Sequence, residues 1–305
     1  MEACDTQTTL NMPSTPQVQV FQAATVTIDQ VVDAIKIAGA CILRNAVAIE
    51  HIDEIEQETR RAYGMLGVSR TYATNIVGHP IYQATARKFL TQKHWFWEGS
   101  RKVWAVSKPQ LNNTIVFSIA PGAKPQPLHR DDSVHHSVPE PIGTYPQLKG
   151  RPRDFSLGFF VAAKKSTKGN GATRFIPGSH LWGHEQEPDE SLVKYAEMEK
   201  GDAFLMLSSC FHAGSANTTA DQERLIFSTL MTRGTLRQEE NQYLALDRQV
   251  MRDLPVEIQK IAGYSISEPN LGWVNMTDPL VTLGADVVGN VDYYGGTDEP
   301  ELDSY

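Results

Sequence analysis

The stretch QPLHRDD at residues 126–132 combines side chains that can bind a metal ion. His129 and Asp131 are two residues apart and follow an apolar, strand-like run at 114–120. Residues i and i+2 of an extended strand project to the same side, so an imidazole and a carboxylate can hold one ion while Arg130 points away. The alternative for this stretch alone is a polar loop that follows a strand.

A second histidine offers a third ligand from another part of the chain. His212 follows shortly after the apolar run 203–209 and precedes a turn that contains Gly214. Two histidines and one carboxylate on one face of an octahedron leave three positions open, which is typical of non-haem Fe(II) oxygenases. Zinc hydrolases instead favour a tetrahedral site with one open position.

Arg224 begins the apolar run 225–231, shortly after His212. An unpaired charge at the start of a buried strand is unfavourable, so this guanidinium needs an anionic partner. If a metal ion chelates one end of a short dicarboxylate, the planar fork of Arg224 can bind the other end. The alternative is a structural salt bridge to an acid such as Asp202.

Helices in the first half of the chain and strands after residue 113 must position these side chains. A helix start at Thr27 and the spacing of apolar residues predict most of the helices. The predicted helices are 27–38, 49–63, 80–90 and 247–261, with strand-like segments at 40–44 and 71–77.

Apolar runs separated by Gly, Pro and polar turns dominate the chain from residue 113 onward. The predicted strands are 114–120, 155–163, 172–176, 203–208 and 225–232. This spacing favours a sandwich or barrel over a parallel βαβ array. The proline-rich segment 134–153 between them is long for a connection, which favours a lid or substrate loop.

Composition limits the classes of protein that this chain can be. The 305 residues are 41% hydrophobic and 21% charged, as in a globular protein, and the net charge of −8 argues against nucleic acid or an anionic membrane as partner. The N-terminus lacks the pattern of a signal peptide, no apolar run reaches the roughly 18 residues of a membrane span, and the three cysteines show no disulfide spacing. We expect a cytoplasmic protein.

The domain organisation follows from the same features. We expect a flexible tail at 1–24, one domain at 25–285 and an acidic, glycine-rich tail at 286–305. The aromatic cluster 94–97, with Trp104, is interpreted as a core or pocket wall in preference to a nucleic-acid surface. Apolar residues in the segment 247–275 allow a contact in a homodimer.

Four motifs occur in one order along the chain. They are Gln126-x-x-His129-Arg-Asp131, then Asn170-Gly-Ala-Thr-Arg-Phe-Ile-Pro-Gly-Ser-His180, then Gly201-Asp202 before an apolar run, then His212-Ala-Gly with Arg224. Together they resemble the phytanoyl-CoA dioxygenase family of Fe(II)- and 2-oxoglutarate-dependent oxygenases. The likeness spans roughly residues 25–280 and is greatest for the branch that tailors fungal natural products.

The resemblance implies a mainly β fold with flanking helices, namely a double-stranded β-helix (jelly roll, cupin-like). It also implies that iron binds His129, Asp131 and His212, and that Arg224 binds the distal carboxylate of 2-oxoglutarate. The further residues that it implies are Gln126 and Thr173 as co-substrate contacts, and Tyr72 and Asn75 in the substrate pocket.

Several neighbouring residues have two interpretations. His135, in the loop beside the metal ligands, is either a substrate contact or a solvated loop residue. Asp132 faces away from Asp131 if the segment is extended, so we expect it to hold the loop. Many 2-oxoglutarate enzymes have Ser or Thr two residues after the arginine, where this chain has Ile226, and Ser228 is a further residue on the same strand face.

The expected function is oxidation of a hydrophobic natural product, using Fe(II), 2-oxoglutarate and O₂. The outcome would be hydroxylation, desaturation, rearrangement or endoperoxidation. Two alternatives remain at this point: a metal-dependent isomerase that needs no 2-oxoglutarate, and a non-catalytic jelly-roll binding protein.

Overall fold

Two β-sheets packed face to face form the body of the protein. A computed structural model describes residues 15–59, 62–146 and 153–285. The strands are β1 Gln19–Gln22, β2 Ala40–Arg44, β3 Gln92–Glu98, β4 Arg101–Ser107, β5 Gln110–Ile119, β6 Ser156–Ala162, β7 Thr173–Phe175, β8 Lys194–Tyr195, β9 Ala203–Leu207, β10 His212–Gly214 and β11 Arg224–Thr232. The large sheet has the order β1-β2-β9-β6-β11-β5, and the small sheet has the order β10-β7-β8.

Alternation along the central strands creates two apolar layers. Phe160 and Ile226 pack between the two sheets, whereas their neighbours Phe159 and Phe227 pack on the outer face of the large sheet. Both faces of these strands are buried, which explains why their sequences are almost continuously apolar. Arg224 lies on the same face as Ile226, so its side chain projects between the sheets.

Helices cover the outer face of the large sheet. They are α1 Ile28–Ala38, α2 Ile49–Glu58, α3 Arg70–Tyr72, α4 Pro80–Leu90, α5 Gln242–Ala245, α6 Arg248–Asp253 and α7 Val256–Ile261. Tyr82 of α4 stacks on Phe159 with 4.8 Å between ring centroids. A capping box between Thr27 and Gln30 starts α1, and Gly39, at φ 77°, ends it. The two packed sheets and the helices outside them confirm the prediction of a double-stranded β-helix with flanking helices.

Two secondary-structure predictions were wrong. The segment predicted as a strand at 71–77 forms α3 and a π-helical turn at Ala73–Val77. The side chain of Ser69 accepts a hydrogen bond from the Tyr72 amide and starts this helical segment, whose packing against the sheet overrides its β-propensity. The predicted helix 247–261 is divided into α6 and α7 because Pro255 disfavours helical conformation in the residue before it.

The N-terminal boundary also differs from the prediction. Residues 19–22, predicted to lie in a flexible tail, form β1, which pairs in parallel with β2 from Gln19 opposite Cys41. The pairing satisfies backbone groups at the edge of the large sheet. Residues 1–14 and the predicted acidic tail 286–305 lie outside the described residues.

The aromatic cluster forms a hairpin that the sequence did not predict. Strands β3 and β4 pair with each other as a separate two-stranded sheet. Trp95 and Trp97 are 41% and 63% exposed, so the prediction of a core or pocket wall was wrong for them. The Lys102 ammonium lies 4.7 Å from the centre of the Trp95 ring, a cation–π contact. No helix in the described part of the chain is long and apolar enough to cross a membrane.

Candidate metal centre

A single backbone bridge brings two of the predicted ligands together. The N–H of His129 donates to the carbonyl of His212, and the N–H of His212 donates to the carbonyl of His129, both at 2.9 Å. His212 begins β10 of the small sheet, and Asp131 begins a 3₁₀ turn at Asp131–His135. The bridge therefore fixes the two imidazoles side by side, and the turn brings the carboxylate against them.

The three donor groups have the geometry of one metal site. His129 Nε2 lies 3.4 Å from Asp131 Oδ1, and His212 Nε2 lies 3.3 Å from Asp131 Oδ2. The three ligand atoms lie within 4.8 Å of one another. Ligands on one face of an octahedral ion, at bond lengths near 2.1 Å, are about 3 Å apart. A small contraction around an ion would give that spacing.

Backbone carbonyls fix the tautomer of both histidines. Nδ1 of His129 lies 2.9 Å from the carbonyl of Pro127, and Nδ1 of His212 lies 3.1 Å from the carbonyl of Cys210. A carbonyl can only accept, so each Nδ1 carries the proton. The lone pair of each Nε2 is then free for a metal, which is the arrangement found around metal-ligating histidines.

The charges of the cluster also favour a cation. Burial raises the pKa of Asp131, but the two histidines outweigh it and the net pKa is well below the usual range. Its carboxylate is therefore ionised at neutral pH. Asp132 is 2% exposed, and burial raises its pKa to about 6. It lies outside the three-ligand cluster, and its N–H donates to the Ser208 carbonyl at 3.4 Å, consistent with a role in holding the loop.

Gln126 and Arg174 tie together the two segments that carry the histidines. Gln126 Oε1 accepts from the Gly214 amide at 2.9 Å. Arg174, which is buried, donates to the carbonyls of Gln126 and Gly214, both at 2.8 Å, and pairs with Glu190 at 3.0 Å. Arg174 was not among the site residues predicted from the sequence. The signal that could have found it is a charged residue inside the predicted strand 172–176.

Arg224 has the environment of an anion-binding residue. It is 4% exposed, and its guanidinium donates to Thr173 Oγ1 at 2.7 Å. Its Nε has no hydrogen-bond partner, and no carboxylate pairs with it, among the residues that the structure describes. Burial lowers the pKa of Arg224 to about 10, so the side chain is still a cation at neutral pH. An interior cation of this kind fits an anionic ligand.

The alternative partner of Arg224 is occupied elsewhere. Asp202 forms an ion pair with Arg44 and accepts from the amide of Asn45 at 2.9 Å. The proposed salt bridge between Asp202 and Arg224 is therefore wrong. Thr173 lies opposite Gly214 in the register of β7 and β10, which places Arg224 next to the strand that carries His212.

The predicted substrate contacts lie in different places. Tyr72 is fully buried on the outer side of the large sheet, and its hydroxyl bonds to the Ser228 carbonyl at 2.9 Å and to Thr229 Oγ1 at 2.7 Å. The amide of Asn75 donates to the carbonyl of Thr71 at 3.2 Å within the same helical segment. The structure does not bring these two side chains together with the metal ligands, and their role stays a prediction.

His135 lies closer to the centre. It ends the 3₁₀ turn that Asp131 begins, and its ring stacks on Phe155. Its Nε2 lies 3.3 Å from Thr232 Oγ1. Thr232 is the last residue of β11, and Arg224 is the first. The contact with substrate predicted for His135 is untested. His180 is buried, and its Nε2 bonds to the carbonyl of Lys36 at 3.0 Å, away from the cluster.

A groove of about 900 Å³ opens between α4, β4 and α7. Its lining includes Gln83, Val106, Gln110 and Ile258 but none of the three metal ligands. Within the described ranges, the His129, Asp131 and His212 cluster is the one group of donors with metal-binding spacing. The donor geometry, and not the size of a cavity, therefore defines the site.

Comparison with known proteins shows what this chain is similar to. The family described as Phytanoyl-CoA dioxygenase (PhyH) matches residues 68–225, which is more than half of the chain. A solved structure of the non-heme monooxygenase ThoJ has a TM-score of 0.49 at 18% identity, over 69% of this chain and 80% of that one.

Similar fungal proteins span nearly the whole chain. Dioxygenase cnsJ of Penicillium expansum is 36% identical over 83% of this chain and 81% of its own length. Dioxygenase himG of Aspergillus japonicus is 35% identical over 87% and 91%, and Dioxygenase peniF of Penicillium patulum is 34% identical over 90% and 94%. The chain therefore belongs to the phytanoyl-CoA dioxygenase family, as predicted, and is an oxidoreductase of the dioxygenase class.

Proposed function

We propose that this protein is an Fe(II)- and 2-oxoglutarate-dependent dioxygenase that oxidises a hydrophobic secondary metabolite in a fungal pathway. The observation that carries the proposal is the buried guanidinium of Arg224, which has no carboxylate partner among the described residues, together with the two-histidine, one-carboxylate cluster. A metal site alone would fit many enzymes. The interior cation adds a place for the far carboxylate of a dicarboxylate co-substrate.

Each residue has a defined part in this function. His129, Asp131 and His212 hold the iron from one side and leave the opposite side open for ligands. Arg224, together with the hydroxyl of Thr173, holds the distal carboxylate of 2-oxoglutarate. When bound, the iron, 2-oxoglutarate and O₂ supply the oxidising chemistry, with 2-oxoglutarate converted to succinate and CO₂.

The protein contributes position and the exclusion of water. Gln126 and Arg174 hold the two histidine segments in register. The apolar side chains of Phe160 and Ile226 pack between the sheets on the same side as Arg224, and apolar surroundings of this kind would keep the reacting C–H bond away from bulk water. Apolar walls of this kind fit a hydrophobic substrate.

The proposal is tested first without any substrate. Anaerobic protein with Fe(II) and 2-oxoglutarate should give a weak visible charge-transfer band, and Arg224→Ala should lose it. Arg237→Ala removes an exposed arginine as a control and should keep the band. Folded protein that gives no band would favour a non-catalytic binding protein. Turnover that is unchanged in Arg224→Ala would favour an enzyme that needs no 2-oxoglutarate.

The reaction itself is read from mass spectra. The protein, Fe(II), 2-oxoglutarate and O₂ are incubated with an extract of the producing fungus, and changed compounds are identified. A gain of one oxygen atom indicates hydroxylation, a gain of two indicates endoperoxidation or double oxidation, and a loss of two hydrogens indicates desaturation or ring closure.

A further inference from the structure

Two polar side chains, Asn113 of β5 and Ser228 of β11, lie between the sheets on neighbouring strands. Along β11, Ser228 and Leu230 are on the same face as Arg224, and Leu230 packs in the inner apolar layer. Asn113 of β5 is paired directly with Leu230, so it lies on that face and diagonally across from Ser228.

Both side chains are buried, and one oxygen of each lacks a hydrogen-bond partner among the described residues. Asn113 is 4% exposed and Ser228 is 1% exposed. Asn113 Oδ1 and Ser228 Oγ have no hydrogen-bond partner in the portion of the chain that the structure describes. Buried polar atoms are normally hydrogen-bonded because an unmade bond costs free energy. Two such atoms on one interior face therefore offer hydrogen-bonding positions to a polar group of a ligand.

A neighbouring carboxylate determines what kind of ligand group fits. The amide nitrogen of Asn113 donates to Glu239 Oε2 at 2.8 Å, and Asn112 donates to the same oxygen at 3.2 Å. The carboxylate oxygen accepts from the NH₂ group of Asn113, so that end of the amide faces Glu239. Its Oδ1 is thereby turned away and can only accept. The missing partner must supply an N–H or O–H donor.

The strand that carries Ser228 contacts the surroundings of the metal centre at both of its ends. At one end of β11, Arg224 contacts Thr173, beside the strand of His212. At the other end, Thr232 contacts His135, whose turn begins at the metal ligand Asp131. Both ends of β11 therefore contact elements that lie beside the metal ligands, and Ser228 lies between these two contacts.

We infer that Asn113 and Ser228 form the polar part of the substrate site, and that they select an apolar substrate carrying an N–H or O–H donor. The inference rests on the proposed function and identifies the substrate class for that site. Apolar walls orient such a molecule only loosely, whereas a few buried polar groups fix its direction. A site built to bond a donor rejects analogues that lack one, because its own atoms stay unpaired.

The first experiment measures thermal unfolding and needs no substrate. Ser228→Ala removes an orphaned hydroxyl and should raise Tm by about 2 °C. Thr229→Val is the matched control, because Thr229 is the adjacent buried hydroxyl and bonds to Tyr72 at 2.7 Å. It should lower Tm. A fall in Tm for Ser228→Ala would show that its hydroxyl is satisfied within the protein, and would overturn the inference.

The second experiment measures turnover of the compound identified in the fungal extract. Asn113→Ala and Ser228→Ala should each lower kcat/KM at least about tenfold, the effect of one lost hydrogen bond to substrate. Asn112→Ala is the control. This variant also loses a hydrogen bond to Glu239, but Asn112 Oδ1 already accepts from the Glu239 amide at 2.8 Å and is not available to a substrate. It should change kcat/KM less than threefold, and an equal loss in both asparagine variants would overturn the inference.

A methylated substrate gives the most specific test. Methylating the N–H or O–H of the compound should lower turnover at least tenfold in the unmodified protein but little in Asn113→Ala. If Ser228→Ala weakens binding of 2-oxoglutarate in the charge-transfer titration, the serine binds the co-substrate and not the substrate, and the inference fails. A missing charge-transfer band in the unmodified protein would instead count against the proposed function, and the Tm comparison would still decide the role of Ser228.

Discussion

Arg174 and Arg224 are two buried arginines whose surroundings differ sharply. Arg174 donates to the carbonyls of Gln126 and Gly214 and pairs with Glu190. Arg224 donates to Thr173, the residue next to Arg174, and its Nε and its charge have no partner among the described residues. The guanidinium of Arg174 thus has partners for its charge and its hydrogen bonds, whereas that of Arg224 has only part of its hydrogen bonds among the described residues.

This difference distinguishes the scaffold from the proposed binding site. A buried charge without a partner is costly, so a protein keeps one only where a ligand completes it. Arg174 joins the two segments that carry the histidines, and its bonds are complete before any ligand arrives. Arg224, Ser228 and Asn113 face the interior, and one polar atom of each has no hydrogen-bond partner within the described ranges. We therefore expect mutations in the first region to reduce stability and mutations in the second to reduce function.

The largest effect is expected on the metal itself. Asp131→Ala removes the one carboxylate of the cluster and should lower turnover by more than the roughly 100-fold that follows loss of an outer partner of a ligand. Iron content after dialysis should fall to the level of the blank. Because the two histidines keep their backbone bonds, Tm should change little. A large fall in Tm with iron retained would place Asp131 with the scaffold.

Arg224→Leu should weaken 2-oxoglutarate binding about 100-fold, because a charge-assisted hydrogen bond contributes about 1.5–3 kcal/mol. The free energy of unfolding should stay equal or rise, since a buried charge without a counter-ion is removed. Titration of the charge-transfer band and urea unfolding measure the two effects. A loss of stability as large as that of Arg174→Leu would remove the distinction between the two arginines.

Arg174→Leu should show the opposite behaviour. It leaves the carbonyls of Gln126 and Gly214 without donors, so the free energy of unfolding should fall by about 2–3 kcal/mol. The midpoint of urea unfolding reports this change. Loss of iron in this variant should follow the loss of folded protein, and iron lost from fully folded protein would show a direct role in the centre.

The smallest effect tests the role predicted for Tyr72. Tyr72→Phe removes a hydroxyl that bonds to Ser228 O and Thr229 Oγ1 on the outer side of the sheet. Stability should fall by about 1 kcal/mol, as for a typical buried hydrogen bond. Turnover should change less than threefold if these internal bonds are its whole role. A tenfold fall in kcat/KM at unchanged stability would establish the predicted contact with substrate.

Much of the fold was predictable because its signals are local. The strands at Ser156–Ala162 and Ala203–Leu207 are continuous apolar runs, and α1 has its cap at Thr27 in the sequence itself. The helical segment at 70–77 was not predictable in this way. Its β-like residues take a helical form because Tyr72 and Ile76 pack into the core, and only the folded chain shows that packing.

The sequence by itself determined the chemistry of the centre. The spacing of His129 and Asp131, the turn after His212 and the position of Arg224 indicate a metal site and an anion site, because each depends on residue type and local order. The tertiary structure decided which polar groups have partners. It pairs Asp202 with Arg44 and satisfies Arg174. Across a strand register that no local pattern encodes, it leaves Asn113 Oδ1 and Ser228 Oγ without partners in the part of the chain that the structure describes.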